Sequence, residues 1–395
     1  MDKHLIKDFG RRVRLGMVGG GIGSIIGDTH ILALRADGFC DLVAGALSSK
    51  PDVSIASGKM EALDPDRIYT DWRDMAEKEG ARTDGRLDAV IIATPPQLHF
   101  PIAKAFLERG IDIICEKPMT RDLAEAEQLV ELVKKHDRLF CLTHCYIGYP
   151  MARQARAMIA KGAIGKVRMI DIVFAPGDRG TSLEPEDLSK RHWRFQASSM
   201  GKASILGEVN SHAYNMACYL SGIEAERVSA HLNTFAERRE VFDNVYATLE
   251  FPAGVKGRLW SSYVAAGNDQ GLSFLIIGET GQLRWNEEDP EYLTLKPMAA
   301  PAVIYARGYD DELDERAKAN VRFRPGFPEG YGLAFANLYV DFAKAIMARA
   351  LGQPYRKYLL DVPSVEDGAR GMKFIEAATR SHDKGGAWVE CGLKL

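Results

Sequence analysis

Gly16-Met17-Val18-Gly19-Gly20-Gly21-Ile22-Gly23-Ser24-Ile25-Ile26-Gly27 decides the fold. This run closes an apolar stretch that begins at Val13 and opens onto a segment of helical character, the strand–turn–helix context in which glycine spacing carries meaning. Glycines at such a turn let the backbone come close to a pyrophosphate and aim helix-terminal N–H groups at it. Gly19 and Gly21 take the first two positions of G-x-G-x-x-G, Ser24 falls at the third, and Gly27 resumes the helix after a small insertion, so a longer loop than usual is expected. Dinucleotide contact is assigned to Gly19, Gly21, Ile22 and Gly23. A turn without a ligand is the competing reading, and the flanking strand and helix weigh against it.

Outward from the turn, short apolar runs alternate with helical periods as far as residue 145. Val13 to Val18, Leu42 to Leu47, Ala89 to Ala93, Ile111 to Cys115 and Leu139 to Thr143 read as strands, and Pro101 to Arg109 and Leu123 to His136 as helices. That pattern is a doubly wound α/β domain with a parallel sheet, placed at residues 1–148. A helix from Met151 to Lys161 follows, and then the texture changes. Val167 to Phe174, Val228 to Phe235, Asn244 to Phe251, Val255 to Tyr263, Leu272 to Gly278 and Gln282 to Trp285 read as strands, several joined by short Gly-containing turns. Residues 149–395 are therefore expected to form an α+β domain on an open, mostly antiparallel sheet, closed by helices at Gly332 to Ala350 and Val365 to Ser381.

Composition narrows the function. Lys plus Arg number 51 against 54 Asp plus Glu, a formal charge of -3, without the basic excess that phosphate-backbone binding needs, so no nucleic-acid partner is expected. No apolar run approaches the roughly 20 residues of a membrane span, and the polar Met1 to Phe9 lacks a signal-peptide core. Six scattered cysteines read as free thiols in a reducing cytoplasm. Cys141-Leu142-Thr143-His144-Cys145 matches no zinc spacing and reads as buried thiols, with no metal.

Three further segments carry chemistry. The second strand ends in Ser48-Ser49-Lys50, where an NAD-preferring domain places an acid for the ribose 2′-hydroxyl. Two hydroxyls and an ammonium suit a 2′-phosphate, a solvated loop is the alternative, and the cofactor stays NAD or NADP. Counted as the fourth and fifth strands, two neighbours end in Thr94-Pro95-Pro96-Gln97-Leu98-His99 and Glu116-Lys117-Pro118, at the carboxyl edge where ligands collect in open α/β sheets. Lys117 is either a surface charge in a tight turn or a proton-transfer group. Downstream, Glu208, His212 and Asn215 fall at i, i+4 and i+7 of a helical period and share one face. His212 is either structural or an acid/base oriented by the carboxylate one turn before it.

On these motifs the chain resembles the Gfo/Idh/MocA oxidoreductases. Glu116-Lys117-Pro118 matches the family's E-K-P, Thr94-Pro95 through His99 its T-P-N-x-x-H with Pro96 for Asn, and Glu208 to His212 its D-x-x-x-H with Glu for Asp. The resemblance implies a Rossmann domain followed by an open sheet that serves as substrate wall and oligomer interface. It implies that Lys117 contacts substrate and nicotinamide, that His212 is the acid/base, that Glu208 stands for the family's carboxylate, and that Thr94, Pro95, His99 and Glu116 belong to the cofactor side. Tyr146, Tyr149, Trp193, Arg194 and Asn210 are the expected substrate-wall contacts, with packing as the alternative for each. The expected reaction is hydride transfer between a secondary hydroxyl of a sugar, cyclitol or related polyol and the nicotinamide. An NAD-dependent glycosidase and a dinucleotide-sensing regulator are the alternatives. Trp260, Tyr263 and Phe274 are expected to furnish the apolar face through which the chain forms a homodimer or homotetramer.

Overall fold

The computed structural model describes residues 3–180, 183–187, 190 and 195–395, so Trp193 and Arg194 lie outside the described residues. Two compact units emerge, residues 1–149 with 330–369 and residues 150–329 with 370–395.

In the first unit five strands, β1 (Val13–Gly19), β2 (Cys40–Ala46), β3 (Ala89–Ala93), β4 (Asp112–Cys115) and β5 (Phe140–Leu142), form a parallel sheet in the order β2-β1-β3-β4-β5. Central β3 is unbroken Ala-Val-Ile-Ile-Ala because both its faces are covered, and each fully buried Ile contributes roughly 1.5–3 kcal/mol. The strands ending at Ala93 and Cys115 are third and fourth, not fourth and fifth. Between β2 and β3 the chain offers only an isolated parallel bridge from Ile68 to Gly45, since Pro65 starts a 3₁₀ turn and lacks a ladder N–H.

The sequence assigns 330–369 to the second domain, whereas in the structure this segment packs with the first unit. The helix Tyr331–Ala350 is buried nearly all round and cannot stand alone. It approaches the turn Cys145–Gly148 so closely that a Cβ on Gly148 would lie 2.0 Å from the Ala334 carbonyl oxygen, and Asn337 Nδ2 donates to Gly148 O at 2.8 Å. Beyond it, Leu142 N donates to Pro363 O at 2.9 Å, which ties the segment to β5.

Among the described residues the second unit holds nine strands: β6 (Val167–Phe174), β7 (Arg227–Asn233), β8 (Asn244–Glu250), β9 (Lys256–Ser262), β10 (Leu272–Gly278), β11 (Gly281–Asn286), β12 (Tyr292–Pro297), β13 (Val303–Ala306) and β14 (Val389–Glu390). Their order is β13-β12-β11-β10-β6-β9-β8-β7-β14, antiparallel except for the β6–β9 pair. Ile170, Ile172, Val245, Leu249, Leu259 and Ile276 alternate onto the covered face. Phe274 shares their phase and is buried, stacked on Trp285, and Tyr263, past the end of β9, is buried as well. Both are therefore removed from the expected apolar face. Trp260 does belong to the other face, where it stacks on Tyr246 at 6.0 Å beside the Arg258–Asp171 ion pair.

Candidate active site

In the first unit the glycine turn is locked to its surroundings. Gly19, Gly20 and Gly23 have φ of 79°, 75° and 85°, the left-handed region that glycine adopts without strain. A Cβ on Gly19 would lie 2.3 Å from Ala93 O, and one on Gly21 would lie 2.7 Å from Leu47 O and 2.5 Å from Ser57 Oγ. Gly21 N donates to Leu47 O at 2.9 Å and Ile22 N to Ser57 Oγ at 3.0 Å, which fixes the turn against β2 and the helix Pro51–Met60. Gly23 is different: it is exposed, and nothing lies within 4 Å of where its Cβ would be. Ser24 caps the helix Ile25–Arg35, its Oγ accepting from Gly27 N at 3.1 Å. The helix thus begins before Gly27, whose role is close packing: a Cβ there would lie 1.9 Å from Gly20 O. An open backbone cradle at a helix N-terminus fits a pyrophosphate.

Beside the cradle, Ser54 Oγ accepts from Leu47 N at 2.9 Å and holds the end of β2. Ser48 is half-buried and its Oγ accepts from Lys50 N at 3.2 Å, while Ser49 and Lys50 are exposed. The loop after β3 and the loop after β4 are tied by His99. Fully buried, its Nε2 meets Thr94 O at 2.8 Å and its Nδ1 meets Pro118 O at 2.9 Å, so it serves to position Thr94 and Lys117. Burial holds its pKa below the ordinary value, against the two carbonyls that favour the imidazolium.

Glu116 is the buried centre of a polar cluster that sequence reading missed in part. Its Oε1 accepts from Thr143 Oγ1 at 2.5 Å and faces His30 Nε2 at 3.4 Å, and His30 Nδ1 meets the Tyr339 hydroxyl at 2.7 Å. Desolvation alone would raise the Glu116 pKa, but the neighbouring His30, the charge of Lys117 and the Thr143 hydroxyl hold it down at about 2. His30 was legible only as a polar residue on a buried helix face, three and four residues before Ala33 and Leu34. Near Lys117, itself half-buried, stand His144, which burial and then the Lys117 charge push down to about 3, and Cys145, which like its neighbour Tyr331 is raised chiefly by burial. Tyr146 is buried against Tyr331 with ring centroids 5.9 Å apart, and Tyr149 is buried too.

The Glu116 cluster has a pH signature. The folded pKa lies below the ordinary 4.5, so the pair stabilises the fold above pH 4.5 and that stability is lost as pH falls toward 2. Glu116→Gln is expected to lose roughly 2 kcal/mol at neutral pH, with the gap closing on acidification, as read from urea unfolding across that range. A gap that stays constant would contradict the cluster.

In the second unit the helix Ser211–Ser221 is preceded by a π-helical turn, Leu206–Asn210. Glu208 therefore sits on the π turn, so its i, i+4 relation to His212 is not that of a regular α-helix, a change the residue pattern does not signal. Glu208 is half-buried, and His212 is buried edge-on to Phe174 at the end of β6, with ring centroids 5.9 Å apart. Asn210 is fully buried. Its Nδ2 donates to Ser261 Oγ at 2.9 Å and its Oδ1 has no partner, as does Asn215 Oδ1. Buried orphan acceptors beside a histidine suit a ligand rich in hydroxyls.

Comparison with known proteins covers both units. Residues 13–144 match the family model described as an oxidoreductase family with an NAD-binding Rossmann fold, and residues 152–284 match the GFO/IDH/MocA C-terminal domain. An uncharacterized oxidoreductase of Bacillus subtilis, YfiI, is 31% identical over 96% of each chain. A levoglucosan dehydrogenase of Pseudarthrobacter phenanthrenivorans is 28% identical over 91% of this chain and 97% of its own. Among solved structures, an inositol dehydrogenase homologue from Azotobacter vinelandii in complex with NAD+ is 34% identical with a TM-score of 0.89, covering 96% of this chain and 97% of that one.

Proposed function

The chain belongs to the Gfo/Idh/MocA oxidoreductases, which bind NAD on a Rossmann fold, and on that premise we propose that it oxidises a secondary hydroxyl of a cyclitol or sugar to a ketone. The observation that carries this reading is the open glycine cradle, with Lys117 at the carboxyl edge of the same sheet. Gly19, Gly21, Ile22 and Gly23 would hold the pyrophosphate, Ser48 and Lys50 would meet the adenosine ribose, and Thr94, Pro95 and Glu116 would border the nicotinamide. When bound, the nicotinamide supplies the hydride acceptor.

Proton handling belongs to the chain's own groups. His212 or Lys117 takes up the hydroxyl proton, a cationic Lys117 balances charge that develops on the oxygen when His212 is the base, and Glu208 orients His212. Asn210 Oδ1 accepts from a substrate hydroxyl. The names of two relatives, a levoglucosan dehydrogenase and an inositol dehydrogenase homologue, support a polyol of that size. A screen of inositols, anhydrosugars, aldoses and sugar acids with NAD+ and NADP+ tests the reading. Net formation of reduced dinucleotide is expected, and its absence across the panel with folded protein would contradict it.

All six cysteines are free and buried, and among the described residues no helix is long and apolar enough to cross a membrane, both in keeping with a place in the cytoplasm. The Tyr246–Trp260 face of the second sheet is the proposed oligomer contact, with Met169 beside it at 49% exposure. Light scattering at micromolar concentration should give a dimer or tetramer, and Tyr246→Glu with Trp260→Glu should give monomer. A monomeric wild type would refute the contact.

A further inference from the structure

Glu116 sits directly after β4, with its N–H bonded to Ile92 O at 3.0 Å, and is therefore built into the same carboxyl edge as Thr94 and the glycine cradle. A carboxylate there that is only 8% exposed needs donors to stay charged. The chain supplies them in sequence. The Tyr339 hydroxyl meets His30 Nδ1 at 2.7 Å. His30 Nε2 faces Glu116 Oε1 at 3.4 Å, and Thr143 Oγ1 donates to the same oxygen. His30 is 0% exposed and Tyr339 3%, so solvent cannot replace either group. The three groups come from the helices Ile25–Arg35 and Tyr331–Ala350 and from the end of β5, which is why no single motif contains them.

A fixed anion at this edge distinguishes the two redox states of a nicotinamide, because the oxidised ring carries a positive charge that the reduced ring lacks. We propose that Glu116 is a fixed buried anion that favours binding of the oxidised over the reduced dinucleotide, and that His30 and Tyr339 are its positioning residues. The proposal rests on the cofactor reading given above and deepens it.

Dissociation constants for NAD+ and NADH, measured by calorimetry at neutral pH on the full chain, test it without any substrate. Glu116→Gln keeps the shape and removes the charge, and should raise the ratio of the NAD+ to the NADH dissociation constant about tenfold, the effect of one nearby unit charge in protein. His30→Leu should move the ratio in the same direction, and His30→Gln, which keeps an N–H where Nε2 lies, should restore it. In the Glu116→Gln background, His30→Leu should leave the ratio where it is, because its effect passes through the carboxylate. Should either single variant fail to fold, the other carries the same expectation. An unchanged ratio with binding intact overturns this proposal alone, whereas a wild type that binds neither dinucleotide overturns the cofactor reading with it.

Discussion

Gly21→Val should abolish dinucleotide binding and also destabilise the first unit, while Gly23→Val should abolish binding and leave most of that stability in place. The difference follows from what each Cβ would meet. At Gly21 it would press on Leu47 O and Ser57 Oγ and force apart the hydrogen bonds from Gly21 N and Ile22 N that fix the turn. Two lost hydrogen bonds and an overpacked contact together amount to about 2–5 kcal/mol. At Gly23 the added side chain meets open space, and the penalty is the left-handed φ of 85°, about 1–2 kcal/mol. Yet that open space is where a phosphate would approach, so the affinity loss should be about 100-fold or more in both variants. Fluorescence titration with NADH, read beside thermal melts, separates the two effects. Undiminished affinity in Gly23→Val would remove the cradle from the cofactor site.

Larger still should be the effect on turnover of removing the proton-handling groups. Lys117→Ala and His212→Ala are each expected to lower kcat by about 10²–10⁴, the range for a positioned acid or base, with dinucleotide affinity little changed in His212→Ala. If the two serve one proton transfer, the double variant should lose far less than the product of the single factors. Multiplicative losses would mean that the two residues act in separate steps. Wild-type turnover in Lys117→Ala would make the lysine structural and the mechanism wrong.

Legibility in the sequence followed how local each signal is. The buried parallel strand β3 was plain because a strand covered on both faces is apolar throughout, and β1 because the run from Val13 to Gly27 carries its own turn chemistry. Strands β12 and β13 escaped because their residues are half-exposed and carry no clean alternation. Phe274 and Tyr263 went to the wrong side since size says nothing about phase, whereas the period of two through Leu272 and Ile276 places Phe274 inward. The membership of 330–369 depends on contacts with Gly148 and β5, nearly 200 residues away in sequence from Asn337, and no local pattern encodes them. At the site, Lys117 and Glu116 were legible as motif residues, while His30 and Thr143 become partners of Glu116, and Tyr339 a partner of His30, only when β4, β5 and two helices converge. The π-helical turn that carries Glu208 was hidden for a related reason, since a π turn and an α turn draw on the same residues.

The central claim is that this chain moves a hydride from a carbinol carbon to the nicotinamide. Once the polyol screen has given a substrate, that polyol labelled with deuterium at the reacting carbon tests the claim most directly. The deuterium should appear at C4 of the reduced dinucleotide, with none lost to solvent during a single turnover. Label released to water, or recovered in the product without a matching amount of labelled dinucleotide, would contradict it.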